Sequence, residues 1–349
     1  MRDIFCPFEE SMHEETLALL EQLAPDLMNR LMLRAMVLER ISALQPVGRR
    51  ALSQRLHMPE REIRSVCDSL KDDGLISVAA SGMATTEKAE AVLPGALSMV
   101  RRRTGLGHLE QQLSRFLNVG RVCIVPGDAD TDDEVLREAG RCAAGRLMQL
   151  LTDGMILTVS GGTTVACVAR AMNVPSKMDV RVLPARGGMG MSMETQAGTL
   201  AAEFANALGG TYSLMHLPDA VPPEALKELM KLPEIGEPIR ALQQTDVLLY
   251  GIGRADNARR LLPPAEALTI LRMGAVGEAL GCYFDGLGRL LYQSSGVGLT
   301  GDQLKSIHLI AAVAAGSSKA DAILSVMRHH RHELLVIDEG AAREILKRM

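Results

Sequence analysis

Between the apolar run that ends at Val159 and a helical pattern that begins at Thr164 stands Ser160-Gly161-Gly162-Thr163-Thr164. Glycines let the backbone approach an anion closely, a following helix N-terminus aims free N–H groups at it, and two threonine hydroxyls add further donors. The chemistry is that of a phosphate cradle. The loop is neither the G-x-G-x-x-G dinucleotide fingerprint nor a Walker A loop, because no Lys stands at the required position. A Gly-rich turn with a Thr N-cap is also an ordinary way to start a helix, so this loop alone does not decide the matter.

Three other strand ends open in the same way. Val182-Leu183-Pro184 leads into Ala185-Arg186-Gly187-Gly188, Leu248-Leu249-Tyr250 into Gly251-Ile252-Gly253-Arg254, and a fourth into Gly316-Ser317-Ser318-Lys319 before a helix. Four such loops, three of them carrying a cation, suggest one polyanionic small ligand at a shared edge. His216 and His308 have neither a paired nucleophile nor metal-ligand spacing, so no catalytic set, metal or cofactor is expected. The six cysteines lie far apart with no C-x-x-C pair, which predicts reduced, buried thiols in place of a zinc site or disulfide framework.

The elements that must position these loops are an alternating set. Strands are expected at 122–125, 155–159, 180–183, 246–250, 307–312 and 334–337, with helices at 133–151, 164–172, 194–208 and 319–327. Strands alternating with helices predict an α/β fold, a doubly wound, mostly parallel Rossmann-like sheet, whose ligands bind at the carboxyl ends of the strands.

The first 120 residues read differently. Leu27, Leu31, Leu38, Ile41 and Leu44 recur at roughly helical spacing after Pro25-Asp26, and Pro46 closes the segment. A short helix runs from Arg49 to Leu56, His57-Met58-Pro59 turns, and a third helix from Glu60 to Lys71 turns Ile63, Val66 and Leu70 inward. Gly74 stops it, and Leu75–Val78 with Met83–Thr85 form a two-stranded wing around Ser81-Gly82. This order is that of a winged helix-turn-helix, whose third helix enters the DNA major groove. Arg61, Arg64 and Ser65 then face outward, with Arg49, Arg50 and Arg55 adding local positive charge; singly, such arginines also serve to solvate a helix face. Thr86 to Arg103 and His108 to Asn118 read as linking helices, the first interrupted at Pro94-Gly95. The run Arg101-Arg102-Arg103 suits a solvated hinge better than a DNA contact.

The chain has 349 residues, enough for two domains, and a net charge of −4, which does not advertise nucleic-acid binding as a whole. No run of eighteen apolar residues occurs, and Glu9, Glu10, Glu14 and Glu15 stand where a secretory signal needs basic then apolar residues. A cytoplasmic protein without a membrane partner is expected.

Seven segments taken in order carry a family resemblance: PVGRRALSQRL (46–56), SGGTT (160–164), PARGGMG (184–190), GIGRAD (251–256), AVGEALGCYFD (275–285), AGSSKADAI around Gly316, and DEGAA (338–342). Together they resemble the central glycolytic genes regulators of the SorC/DeoR group, over nearly the whole chain beyond the first 25 residues. The resemblance implies a repressor of a glycolytic operon whose C-terminal domain is similar to sugar-phosphate isomerases and glucosamine-phosphate deaminases and responds to fructose 1,6-bisphosphate. It implies operator DNA and a sugar phosphate as partners, and a homo-oligomer, dimer or tetramer. On the matching positions, Thr163, Thr164 and Lys319, with Gly161 and Gly162, would hold one phosphate; Arg186, Gln196 and Arg259, with Gly187, would hold the other; Glu278 would accept hydrogen bonds from sugar hydroxyls. Arg254 or Arg260 could stand in for Arg259, because the stretch up to Glu278 is slightly short. The implied map is an N-terminal extension over 1–25, the winged helix over 26–90, linker helices over 91–119 and the effector domain over 120–349.

Two other readings stay open. A SorC-type regulator could answer to a different phosphorylated sugar. A sugar-phosphate isomerase or deaminase could use Glu278 as acid or base, but it would usually want a second acid-base group such as His, and none lies in the four loops.

Overall fold

The computed structural model describes residues 19 and 22–349, apart from 57, 104, 175, 188–191, 216, 218–220, 295 and 300. Most of the N-terminal extension, His57, Gly188 and His216 lie outside the described residues, as do the side chains of Arg101, Arg102 and Arg103. The chain forms two compact units that divide between Gly107 and His108.

In the first unit α1 (Pro25–Leu44), α2 (Arg49–Leu56) and α3 (Glu60–Asp72) precede a hairpin of β1 (Ile76–Ala79) and β2 (Gly82–Thr85), and α4 (Glu87–Arg103) follows. The hairpin is antiparallel with Ile76 opposite Thr85. Val47 exchanges two backbone hydrogen bonds with Met83 and so adds a third short rung. Gly82, at φ +136°, allows it: a Cβ there would stand 2.8 Å from the Val47 nitrogen. Val37, Leu38, Ile41, Leu52, Ile63, Cys67, Leu70, Ile76 and Met83 make one core.

Three local expectations shift. Cys67, with Ile63 and Leu70, is fully buried on α3, and Val66 only packs at the margin. Leu27 and Leu31 are 57% and 37% exposed, because the inward stripe of α1 runs instead through Met28, Ala35 and Leu38. Pro94 does not interrupt α4; the helix continues through it, because packing against α1, with Leu93 on the core, outweighs the backbone hydrogen bond that proline removes.

The second unit begins with α5 (Leu106–Leu117), which starts two residues before the division. It continues as β3 (Val119–Val125), α6 (Asp133–Met148), β4 (Ile156–Val159), α7 (Thr163–Ala171), β5 (Arg181–Pro184), α8 (Ala197–Leu208) and β6 (Thr211–Tyr212). After α9 (Pro223–Leu229) and α10 (Pro233–Ala241) come β7 (Val247–Gly251), β8 (Gly253–Arg254), α11 (Ala258–Leu261), α12 (Pro264–Arg272), β9 (Gly277–Ala279), β10 (Cys282–Phe284) and β11 (Leu290–Gln293). The chain closes with α13 (Gly301–Ser306), β12 (Leu309–Val313), α14 (Ala320–Met327), β13 (His332–Asp338) and α15 (Glu339–Leu346).

Seven strands form one wholly parallel sheet in the order β3-β13-β12-β7-β4-β5-β6. The runs Val122–Val125, Leu334–Ile337 and Ile310–Val313 are apolar at every position because both faces of the sheet are covered. From β4 the chain moves outward to β5 and β6; from β7 it moves the other way to β12 and β13. The direction reverses between neighbours β4 and β7, and that switch point is where an open α/β sheet leaves a crevice for ligand. A second, four-stranded antiparallel sheet, β11-β10-β9-β8, was not expected from the sequence. Its hairpin turns on Asp285, whose carboxylate accepts the Leu287 and Arg289 N–H groups.

Candidate effector site and nucleic-acid interface

The switch point is built from the phosphate-cradle loop. Ser160 donates its N–H to the Leu249 carbonyl, and its hydroxyl accepts the Gly251 N–H at 3.1 Å, so the ends of β4 and β7 are tied together. Gly162, at φ +119°, is the N-cap of α7, and Thr163 is the first helical residue. The expected Thr N-cap is therefore corrected. A β-carbon would strain this left-handed turn, and without a side-chain oxygen at the cap no described group closes the helix end. The N–H groups of Thr163, Thr164 and Val165 have no acceptor among the described residues. Thr163 is exposed and Thr164 is 3% exposed. Gly162 gives its own N–H to the Thr195 carbonyl at 2.9 Å, which sets Gln196, the N-cap of α8, beside the loop.

Lys319 ends the short turn Ser317–Lys319 after β12. Burial pushes its ammonium below the usual lysine range, with the charges of Asp338, Asp130 and Cys167 acting against that shift. Cys167, one turn into α7, is among the groups whose charge the ammonium feels. The ammonium makes no hydrogen bond to any described residue. Three N–H groups without an acceptor among the described residues, with the half-buried Lys319 on the turn after β12, make a candidate anion site.

A second cluster lies where β5 meets the antiparallel sheet. Arg186 pairs with Gly298, and its guanidinium donates to the Leu280 carbonyl at 2.8 Å and the Ser294 hydroxyl at 2.9 Å. Gly281, at φ +76°, makes room for it, since a Cβ there would collide with the guanidinium. Glu278, on β9, accepts the Gly281 N–H at 2.8 Å. Desolvation raises its carboxyl above the ordinary range, opposed by that N–H and by the Arg186 charge. Gly187 donates its N–H to the Val297 carbonyl. Of the three neighbouring arginines, Arg254 is paired to Asp256 at 2.5 Å and Arg260 donates to Asn257 at 2.5 Å. Arg259 is exposed, with no ion-pair or hydrogen-bond partner among the described residues.

Sequence reasoning missed a trio of carboxylates at the ends of β3 and β13. Asp338 is fully buried and accepts the N–H groups of Ala129, Gly316 and Ala341 at 2.7, 2.7 and 2.9 Å. Burial nonetheless raises its carboxyl above the usual range. Asp128 accepts from the Asp130 and Ser317 backbones, which outweigh the burial that would raise it and hold its carboxyl low. Asp130 accepts the Ser318 N–H and both the Ser317 and Ser318 hydroxyls. The alternation Asp128-Ala129-Asp130-Thr131-Asp132 was the available signal.

On the first unit, Arg61, Arg64 and Ser65 share the outer face of α3 with Asp68, Ser69 and Asp72. The basic residues occupy the N-terminal half, the half that reads base edges in a helix-turn-helix. Arg49 bonds Asp68 at 2.7 Å and so ties α2 to α3, whereas Arg50 is 89% exposed and only 3.8 Å from Glu60. Among the described residues no helix is long and apolar enough to cross a membrane.

Residues 31–100 match the family described as "CggR N-terminal DNA binding domain", and residues 101–347 match "Putative sugar-binding domain". The central glycolytic genes regulator of Priestia megaterium is 34% identical over 330 residues, covering 93% of this chain and 96% of that protein. The chain belongs to the central glycolytic genes regulator family of SorC-type regulators. A SorC family regulator from Enterococcus faecalis is similar at a TM-score of 0.64 and 32% identity, covering 68% of this chain and 99% of that one. The full-length sorbitol operon regulator SorC of Klebsiella pneumoniae, at 18% identity, shares the fold, with a TM-score of 0.65 over 91% of this chain and 98% of its own. The chain is thus a DNA-binding transcriptional regulator with a sugar-binding domain, and not an enzyme.

Proposed function

We propose that this regulator represses a glycolytic operon and is released or remodelled by fructose 1,6-bisphosphate. One phosphate binds the open end of α7 through the N–H groups after Gly162, the Thr163 hydroxyl and the Lys319 ammonium. The other is taken by Arg186, Gln196 and Arg259, and Glu278 accepts from the sugar hydroxyls. Arg259 serves better than Arg254 or Arg260, both of which already have partners. Operator DNA is held by a homo-oligomer, dimer or tetramer, through Arg49, Arg50, Arg61, Arg64 and Ser65.

The observation that carries the reading is the uncapped N-terminus of α7 at the switch point, whose first three N–H groups have no acceptor among the described residues. A thermal-shift screen of glycolytic phosphates tests it, since a ligand selective for the native state raises stability by mass action. Fructose 1,6-bisphosphate should give the largest shift and should alter the mobility of an operator complex. A larger shift from another phosphorylated sugar would replace the effector, and no shift from any would overturn the site.

A further inference from the structure

The turn that carries Lys319 is itself an anion nest, and it is already filled. Asp130 places its carboxylate on the Ser318 N–H at 2.7 Å and on the Ser317 and Ser318 hydroxyls at 3.1 Å each. Gly316, at φ +111°, clears the space: a Cβ there would stand 2.5 Å from an Asp130 oxygen. One N–H and two hydroxyls converging on two carboxylate oxygens is the donor pattern a phosphate would receive. The neighbouring Lys319 ammonium feels the charges of Asp130 and Asp338 but bonds neither.

A phosphate that reaches Lys319 therefore brings its own charge against Asp130, and one of the nearby carboxylates must yield. Asp338 is fully buried and held by three backbone N–H groups, and Asp128 is half-buried and held by two. Asp130 is exposed, on the loop between β3 and α6, and holds one N–H and two hydroxyls. Displacing it costs least, because its carboxylate regains water directly.

We propose that Asp130 is an internal competitor for the effector's phosphate: it occupies the Ser317–Ser318 nest in the empty protein, and the phosphate that binds Lys319 evicts it and removes that tether from the 127–132 loop. The inference rests on the reading that Lys319 takes a phosphate. Asp130 thereby selects for charge. A neutral sugar offers nothing to replace it on the nest, whereas a phosphoryl group does, so the residue sets a threshold that unphosphorylated sugars do not cross.

The test is calorimetric titration of the full-length protein and its Asp130→Asn variant with inorganic phosphate and with fructose 6-phosphate at fixed ionic strength. Asparagine keeps the size and one acceptor oxygen but removes the charge. Asp130→Asn should bind both ligands about tenfold more tightly or better, as loss of a like charge at a phosphate site requires. Unchanged or weaker binding in a variant with wild-type melting temperature would overturn the proposal. Hydrogen exchange of the wild-type protein gives an arm free of any mutation. Saturating fructose 6-phosphate should speed exchange in a peptide spanning 127–132 while slowing it at 163–165. Slowing at both would show that Asp130 stays in place and would overturn the competitor role alone. No binding of either ligand to the wild-type protein would overturn the phosphate reading of Lys319 and this inference with it.

Discussion

Two glycine-opened helix starts lie on the carboxyl edge of the same parallel sheet, and they are in opposite states. After β4, Gly162 leads into α7 with three N–H groups unclaimed and no capping side chain among the described residues. After β12, Gly316 leads into Ser317 and Ser318 with every N–H from Gly316 to Ser318 accepted by a carboxylate. The sequences SGGTT and GSSK look alike as phosphate loops, but only the first is ready for an external anion. Arg186 presents a third state, a guanidinium already used by Leu280 and Ser294. An anion at α7 meets N–H groups that need not be vacated and displaces only the exposed Asp130 carboxylate beside Lys319, whereas the far phosphate of a bisphosphate must draw Arg186 off its protein partners. That difference lets one ligand end supply affinity and the other drive a conformational response.

The largest expected effect lies elsewhere, on stability, and it fixes the pH range in which the loops can be compared. His330 and His332 stack at 4.4 Å between ring centroids, and His332 shares a hydrogen bond with the buried Tyr250 hydroxyl. Burial lowers His330 to about 4, aided by the His329 charge, and His332 to about 3, aided by His330. Both depressed values mean the unfolded chain binds protons that the folded one refuses. Stability is therefore full above pH ~6.5 and falls as pH drops toward the folded values, by up to ~1.4 kcal/mol per pH unit for each histidine. Urea unfolding between pH 7.5 and 5.5 should show this slope, reduced in His330→Gln; a flat profile would contradict it.

Next in size is Lys319→Met, which should weaken fructose 1,6-bisphosphate and fructose 6-phosphate alike by roughly ten- to a hundredfold, the worth of a charge-assisted hydrogen bond. Arg186→Ala should cost as much for the bisphosphate but leave the monophosphate nearly unchanged; equal losses in calorimetry would erase the contrast between the two ends. On the DNA face, Arg61→Ala or Arg64→Ala should cost ~1–3 kcal/mol and relax sequence preference if the side chain reads a base, or mainly lower the salt slope if it meets phosphate. Operator affinity that responds to neither change would remove α3 from the groove. Thr163→Ala should be the smallest, about 0.5–1.5 kcal/mol for both sugars, because the backbone N–H groups remain.

Much of this was legible in the sequence, for physical reasons. Continuous apolar runs such as Val122–Val125 and Leu334–Ile337 announce strands covered on both faces, and the glycine loops announce where a backbone must turn or open. The winged helix was legible from the order of helices, Gly74 and the Ser81-Gly82 turn. The antiparallel sheet was not, because its strands are two to four residues long and alternate weakly; only Asp285-Gly286 between Tyr283-Phe284 and Leu290–Tyr292 marked a hairpin. The carboxylates of Asp128, Asp130 and Asp338 were silent because the partners that bring them together, the N–H groups of Ser317, Ser318 and Gly316, lie 189, 188 and 22 residues away. The states of the two helix starts were equally silent, since emptiness and occupancy depend on those distant partners.

The most direct measurement is a crystal structure of the full-length protein with fructose 1,6-bisphosphate. The account predicts one phosphate within hydrogen-bonding distance of the Thr163–Val165 N–H groups and the Lys319 ammonium, with the Arg186 guanidinium turned from Leu280 and Ser294 to the other. A sugar bisphosphate bound away from the end of α7, with those N–H groups still unclaimed, would contradict it.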